Sequence, residues 1–323
     1  MKTISYAVVA ALALAAAAPV GAQAYPDRPV QMIVGASPGG STDVSARLLA
    51  EPLSKALGKP VVVENKAGAS GNIAATQVAR AKPDGHTLLM QYSGYHVGNP
   101  HLFDKMSWKG EDFLPVAVVT FSPHIIAVHP GVKANNLKEL VELAKASPGT
   151  LKFGSAGNGS IQHLATELFA QQTGVKMVHL PYKGAAPAVT DLLGGRLDLV
   201  NTTPPSLIAQ IRAGKLKALA YTSDKRHPLY NDIPPSAEAG LPGYEVASWF
   251  GVLAPAKTPP AVIERLSAEI KTIVEGDEFK KKIEEQGGLA VFRNPAEFKV
   301  LIDKEFDYWG QVIKTAGVKA EEQ

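Results

Sequence analysis

The sequence predicts an α/β protein of two lobes, each a mostly parallel sheet flanked by helices, with a hinge between them. Three observations lead there. Strand-like and helix-like segments alternate along almost the whole chain, the pattern of parallel sheets covered by helices. A unit of strand, glycine loop, helix, glycine and strand at residues 31–64 returns at 151–180, which suggests two similar halves. The last two helices have no obvious strand partners, so a strand near 246–253 is expected to cross back to the first half. The expected division is residues 25–122 with 249–323 as one lobe and 123–248 as a second, inserted lobe, after a leader at 1–24.

The leader carries Lys2, an alanine-rich apolar stretch and the small-x-small pattern Ala22-Gln23-Ala24, the marks of a cleaved signal peptide. Export is expected, to the space between the membranes in a cell that has two. No later apolar run reaches the ~20 residues of a spanning helix. Strands are expected at 30–34, 61–64, 86–91, 116–119, 125–128, 151–153, 175–180, 197–200, 217–221 and 246–253. Helix starts are legible where a capping residue precedes an apolar face. Asn136 with Glu139, Ser160, and Asn294 with Glu297 fit this pattern, and Thr258 is expected to cap a helix beginning at Pro259. Gly194-Gly195 should close a short helix led by Pro187.

Composition excludes several functions. The 323 residues carry 33 basic and 30 acidic side chains, a formal charge of +3, without the basic block of a nucleic-acid binder. There is no cysteine, which removes thiol catalysis, thiolate metal sites and disulfides. The eight histidines show no H-E-x-x-H or close pairing, so neither a metal nor a cofactor is expected. With no exposed apolar stripe, a monomer is expected.

Two glycine loops carry the candidate chemistry. The run IVGASPGGSTD at 33–43 follows a strand and opens a helix. Its glycines let backbone N–H groups approach a ligand, and a helix N-terminus favours an anion. Ala36, Ser37, Gly39, Gly40, Ser41, Thr42 and Asp43 are the candidates there, with Asp43 expected to tie the loop amides. A P-loop would need lysine where Ser41 stands. Gly35-Ala36-Ser37-Pro38-Gly39 does match the G-x-S-x-G nucleophile elbow. Pro38, however, lacks the N–H that the oxyanion hole takes from that position, a donor worth on the order of 10²–10³ in rate. A secreted serine hydrolase centred on Ser37 is the rival reading from another class.

The second loop, FGSAGNGSIQHL at 153–164, supplies Gly154, Ser155, Ala156, Gly157, Asn158, Gly159 and Ser160, with His163 in the following first turn facing the loop or the cleft. Ser93, Asn201 and Thr202 end two further strands, where hydroxyl and amide groups could reach a carboxylate. Lys183 in PYKGAAPA could balance an anion.

YPxRP from Tyr25, SPGGSTD, VVVENKAGASG, KPDGHTLL, GSAGNGS, PYKGAAPAVTDLLGG, RAGKLKALA and GVLAPAKTPP occur in this order. Over essentially the whole mature chain this resembles the solute receptors of tripartite tricarboxylate transporters, the Bug family. The resemblance implies a two-lobed periplasmic binding protein fold without enzymatic activity. It implies a small carboxylate ligand, closure of one lobe over the other, and delivery to membrane transporter subunits. It also implies a grip by backbone amides and ordered waters of residues 37–43 and 154–160. The family commonly has Pro-Phe-Ala ahead of P-G-G; here Gly35, Ala36 and Ser37 stand there. Loss of the aromatic ring leads us to expect a bulkier acid, such as an aromatic mono- or dicarboxylate. A receptor that signals to a membrane kinase would look the same in sequence.

Overall fold

The structure is a computed structural model describing residues 25–319 except 224, 228 and 229. The signal peptide expected at 1–24 lies outside the described residues. The chain begins with β1 (Val30–Val34), α1 (Ser41–Leu57), β2 (Val61–Asn65), α2 (Asn72–Ala79) and β3 (Thr87–Tyr92). A π-helical turn (Gly94–Gly98), α3 (Asn99–Leu102) and the long β4 (Phe113–Pro123) follow. Then come β5 (Ile125–Val128), α4 (Leu137–Ala146), β6 (Lys152–Ser155), α5 (Ile161–Thr173), β7 (Val178–Pro181) and α6 (Ala185–Leu193). Next are β8 (Leu199–Thr202), a 3-10 turn (Pro204–Ser206), α7 (Ile208–Arg212) and β9 (Lys217–Tyr221). The chain returns through β10 (Ala247–Pro255) to α8 (Pro260–Glu275), α9 (Asp277–Glu285), β11 (Leu289–Arg293) and α10 (Pro295–Ala316).

These strands form two sheets, ordered β11-β4-β10-β3-β1-β2 and β7-β6-β8-β5-β9. The two-lobed α/β expectation holds. The expectation of mostly parallel sheets does not: both are mixed. The β1–β2, β1–β3, β6–β7 and β6–β8 pairs are parallel. The pairs involving β10, β11 and β5 are antiparallel. The reason is the crossing. The chain leaves the first sheet along β4, enters the second along β5 after the single residue His124, and comes back along β10. An outward and a returning strand side by side must run opposite ways.

Of the parallel strands, the inner β1 is almost entirely buried and so reads as an apolar run, whereas the edge strands β2 and β7 are mostly half-exposed. In β1, Val30, Met32, Ile33 and Val34 are fully buried, each contributing about 1.5–3 kcal/mol of burial. The caps at Asn136, Ser160 and Asn294 form as expected, the last as a full capping box with Glu297. Thr258 does not cap: its hydroxyl donates to the Pro255 carbonyl at 2.8 Å, and Pro259 holds the cap position. The last two helices do have a strand between them. β11 is an edge strand of mostly half-exposed residues, without the alternation that marks a strand in sequence. Among the described residues, no helix is long and apolar enough to cross a membrane.

Candidate functional site

The first glycine loop leaves β1 and turns into α1, so Gly40, Ser41 and Thr42 sit at a helix N-terminus. The second leaves β6 and turns into α5, capped by Ser160. A third start, Gly184-Ala185, opens α6. All three converge on one cavity. Ala36, Gly40, Ser41 and Thr42 line one side, and Ala156, Gln162, Gly184 and Ala185 the other; Tyr92, Tyr95 and Phe250 supply aromatic walls. The first-turn amides of a helix have no carbonyl of their own helix to bond. Three such ends, with no charged side chain in the lining, make a site for an anion.

The two sides are shut against each other. The cavity measures about 10 Å³, about what the centre of one water requires. Ser37 donates to the Lys183 carbonyl. Ser41 shares hydrogen bonds with Thr203 and, at 2.8 Å, with Ser206. Tyr92 donates to Gln162 Oε1 at 2.7 Å and Tyr95 to the Ala156 carbonyl at 2.8 Å. Ser70 donates to the Asn158 carbonyl at 3.3 Å. Glycines allow the approach. A Cβ at Gly94 would stand 2.6 Å from Ile161 N, and one at Gly98 would stand 2.7 Å from the Gly159 carbonyl oxygen.

The structure sorts the sequence candidates by position. Ala36, Gly40, Ser41, Thr42 and Ala156 line the cavity. Ser37 and Gly39 lie at its rim, outside the lining. Asp43 is behind the loop: its carboxylate accepts from Gly39 N at 2.9 Å, from Arg47 Nε and from Asn65 Nδ2. Burial works to raise its pKa, but Arg47, the Gly39 N–H and Asn65 prevail and hold the carboxyl below its ordinary range. Gly154 is a packing glycine, since a Cβ there would lie 2.4 Å from Leu197 Cδ1. Ser155 is hydrogen-bonded to His179 Nε2 at 2.6 Å and to the Gly157 N–H. Gly157, Asn158, Gly159 and Ser160 shape the loop. His163 Nδ1 accepts from Gly159 N at 3.1 Å, and its ring stacks on His179 at 3.7 Å. Burial pushes His163 down to about 4, so a neutral imidazole braces the loop from outside the lining. Ser93 is fully buried, its hydroxyl without a hydrogen-bond partner. Asn201 donates to Tyr244 OH at 2.6 Å, and Thr202 accepts from Gln162 Nε2 at 3.1 Å. Both stand behind the cavity.

Sequence reasoning missed Tyr92, Tyr95, Gln162, Phe250 and the Gly184-Ala185 helix start. The last was within reach, because PYKGAAPA was singled out for Lys183 alone. The hydrolase reading of Ser37 lacks its base: a nucleophilic serine gives its proton to a neighbouring base, whereas this one donates to a carbonyl. Among the described residues, no group of three or more histidines and carboxylates could hold a metal.

A two-sheet molecule with helix N-termini closing on one cavity is a solute-binding protein of the two-lobed kind, and comparisons with known proteins agree. Residues 45–318 match the model of the tripartite tricarboxylate transporter family receptor. The chain belongs to that family. Protein BugT of Bordetella pertussis is 39% identical over 305 residues, covering 94% of each chain. The structure of Rhodopseudomonas palustris Rpa4515 with adipate is similar with a TM-score of 0.90 and 36% identity, covering 92% of this chain and 100% of that one. MatC of Rhodopseudomonas palustris with bound malate is similar with a TM-score of 0.85 and 31% identity, covering 90% of this chain and 100% of that one.

Proposed function

We propose that this protein is a periplasmic receptor that captures a small organic carboxylate in the cleft and hands it to the membrane subunits of a tripartite transporter. The observation that carries the reading is the convergence of the α1, α5 and α6 N-termini on a cavity lined without charge. Each helix end is worth roughly 0.3–2 kcal/mol to an anion, and each charge-assisted hydrogen bond roughly 1.5–3. Several of these, less ordering costs, reach the ~8 kcal/mol of a micromolar binder. A site of amides and hydroxyls, without a buried arginine, suits cargo that must be released.

The lobes we assign are 25–122 with 249–323, and 123–248, hinged at His124 and the start of β10. The grip expected of residues 37–43 and 154–160 narrows to Ala36, Gly40, Ser41 and Thr42 on one side and to Ala156 with Gln162, Gly184 and Ala185 on the other. Ligand entry requires the lobes to part, and closure then buries the acid. The rings of Tyr92, Tyr95 and Phe250 favour an acid with an aromatic or bulky apolar body. Relatives of similar fold hold adipate and malate, so aliphatic diacids are the natural competitors. A thermal-shift screen across aliphatic and aromatic mono- and dicarboxylates tests this. At a hundredfold excess over its dissociation constant, a ligand stabilises by about 2.7 kcal/mol. If no carboxylate raises the melting temperature, the reading fails. If only the smallest aliphatic diacids do, the aromatic preference fails.

A further inference from the structure

A second cavity, of about 560 Å³, lies on the other side of the π-helical turn. Its size is that of a small-molecule pocket. The turn places consecutive residues in two different sites: Tyr95 lines the cleft cavity and His96 lines this one. Single π turns are rare and frequently lie at functional sites.

His96 is 4% exposed, and its Nδ1 has no hydrogen-bond partner. A buried polar atom in that condition calls for a reason. The imidazole lies parallel to Trp108, 5.7 Å between centroids at 14°, and edge-on to Phe113 at 5.9 Å and 70°. Phe103, Met106 and Phe306 also line the cavity, and Phe306 is 37% exposed at its mouth. Aromatic faces with a few polar groups are the chemistry that holds a flat ring.

The charges at the rim separate this cavity from the cleft. Lys299 is already held by Asp303, with both carboxylate oxygens at 2.6 Å. That leaves Lys109 against Asp104 and Glu111. No helix N-terminus of eight or more residues contributes to the lining. The rim therefore offers an anion little and a cation some attraction, and an aromatic wall accepts a cation on its face.

We propose that this cavity is a second ligand site, which takes a neutral or cationic flat aromatic molecule against Phe103 and Phe306, over a floor of the buried Trp108 and His96. It is independent of the carboxylate cleft and takes the opposite charge class. The test titrates benzylamine, indole and benzoate separately into the full chain, followed by ligand-observed NMR and calorimetry. Two variants accompany the wild type: Met106→Trp, which fills the cavity, and Phe306→Ala, which strips its mouth without touching the core. We expect saturable one-to-one binding of benzylamine and indole at about millimolar concentration, as suits fragments of this size. Met106→Trp should weaken it by about tenfold or more and Phe306→Ala by about threefold. Thermal stabilisation by the cleft carboxylate should persist in both. Absence of saturable binding by both probes, or binding that neither variant changes, overturns the site. Benzoate binding that is equally strong and equally sensitive to the variants overturns the charge assignment.

Discussion

Gly98→Ala isolates closure of the lobes from every other property of the fold. Gly98 has φ −88° and ψ −46°, a right-handed helical conformation that alanine adopts readily. In the unfolded chain the substitution removes conformational freedom, which by itself stabilises by about 0.4–1 kcal/mol. The added Cβ would lie 2.7 Å from the Gly159 carbonyl oxygen, short of ordinary contact at 3.4 Å by about 0.7 Å. Both groups belong to backbone, so no rotamer relieves the clash, and Gly159 is fixed in its own turn at φ +72°. Gly98 follows β3 of one sheet and Gly159 follows β6 of the other, so the clash exists only while the lobes are shut. Overpacking of this kind costs about 1–3 kcal/mol. Ligand affinity should accordingly fall roughly 5- to 150-fold, while the ligand-free melting temperature holds or rises. Calorimetry with the most stabilising acid from the screen measures the first effect, and small-angle scattering should show a more open molecule at saturation. Gly110→Ala, which meets nothing within 4 Å, is the matched control. Wild-type affinity for Gly98→Ala would refute the reasoning. So would a ligand-free stability loss as large as the loss of affinity.

Other substitutions probe the same frame. Ser41→Ala removes two cross-lobe hydroxyl contacts and strands the fully buried Thr203 hydroxyl. We expect a loss of about 1–3 kcal/mol in binding, read by calorimetry, with a smaller change in ligand-free melting. Burial pushes His96 and His163 to about 4 and His124 to about 3, and burial together with the neighbouring His163 pushes His179 to about 3. Their unfolded values are higher, so they stabilise fully above about pH 6.5. Each then gives back about 1.4 kcal/mol per pH unit as pH falls toward its folded value; urea melts at pH 7.5 and 5 should show the decline. Glu305 acts with the opposite sign. Burial raises it to about 7, against the hydrogen bond it accepts from Trp249 Nε1 at 2.8 Å, so it stabilises at low pH and loses that contribution as pH rises from about 4.5 through 7. Glu305→Gln should match the wild type near pH 5 and exceed it at pH 8, by at most about 3 kcal/mol. Equal stability at both pH values would contradict the assignment.

The parts of the molecule that were legible in sequence are those governed by local rules. Asn136, Ser160 and Asn294 announce helices because a cap acts within three residues. The β1 run is legible because four of its five residues, Val30, Met32, Ile33 and Val34, are buried apolar side chains, with Gln31 alone exposed. The site's loops were legible for the same reason, since glycine and serine between a strand and a helix constrain the backbone locally. The aromatic walls were not. Tyr92 and Phe250 are 158 positions apart in sequence and meet only because β10 returns beside β3 in the same sheet. Gln162 read as an ordinary helical residue, and its role depends on Tyr92 and Thr202 arriving from either side. Asp43, grouped with the ligand-binding candidates and expected to tie the loop amides, does the second: it accepts from Gly39 N and is held in turn by Arg47, one turn on. The mixed sheets escaped notice because strand direction is a property of the whole path of the chain.

That path has a mechanical consequence. The outward connection between the sheets is extended strand interrupted by one residue, His124, whose imidazole is hydrogen-bonded at 2.7 Å to Ser248 on the return strand. Such a pair behaves as a leaf spring with its two leaves clipped together: it flexes about one axis, over a limited arc, and resists twist. Any parting of the two sheets should therefore swing one against the other about that axis, rather than slide or turn it.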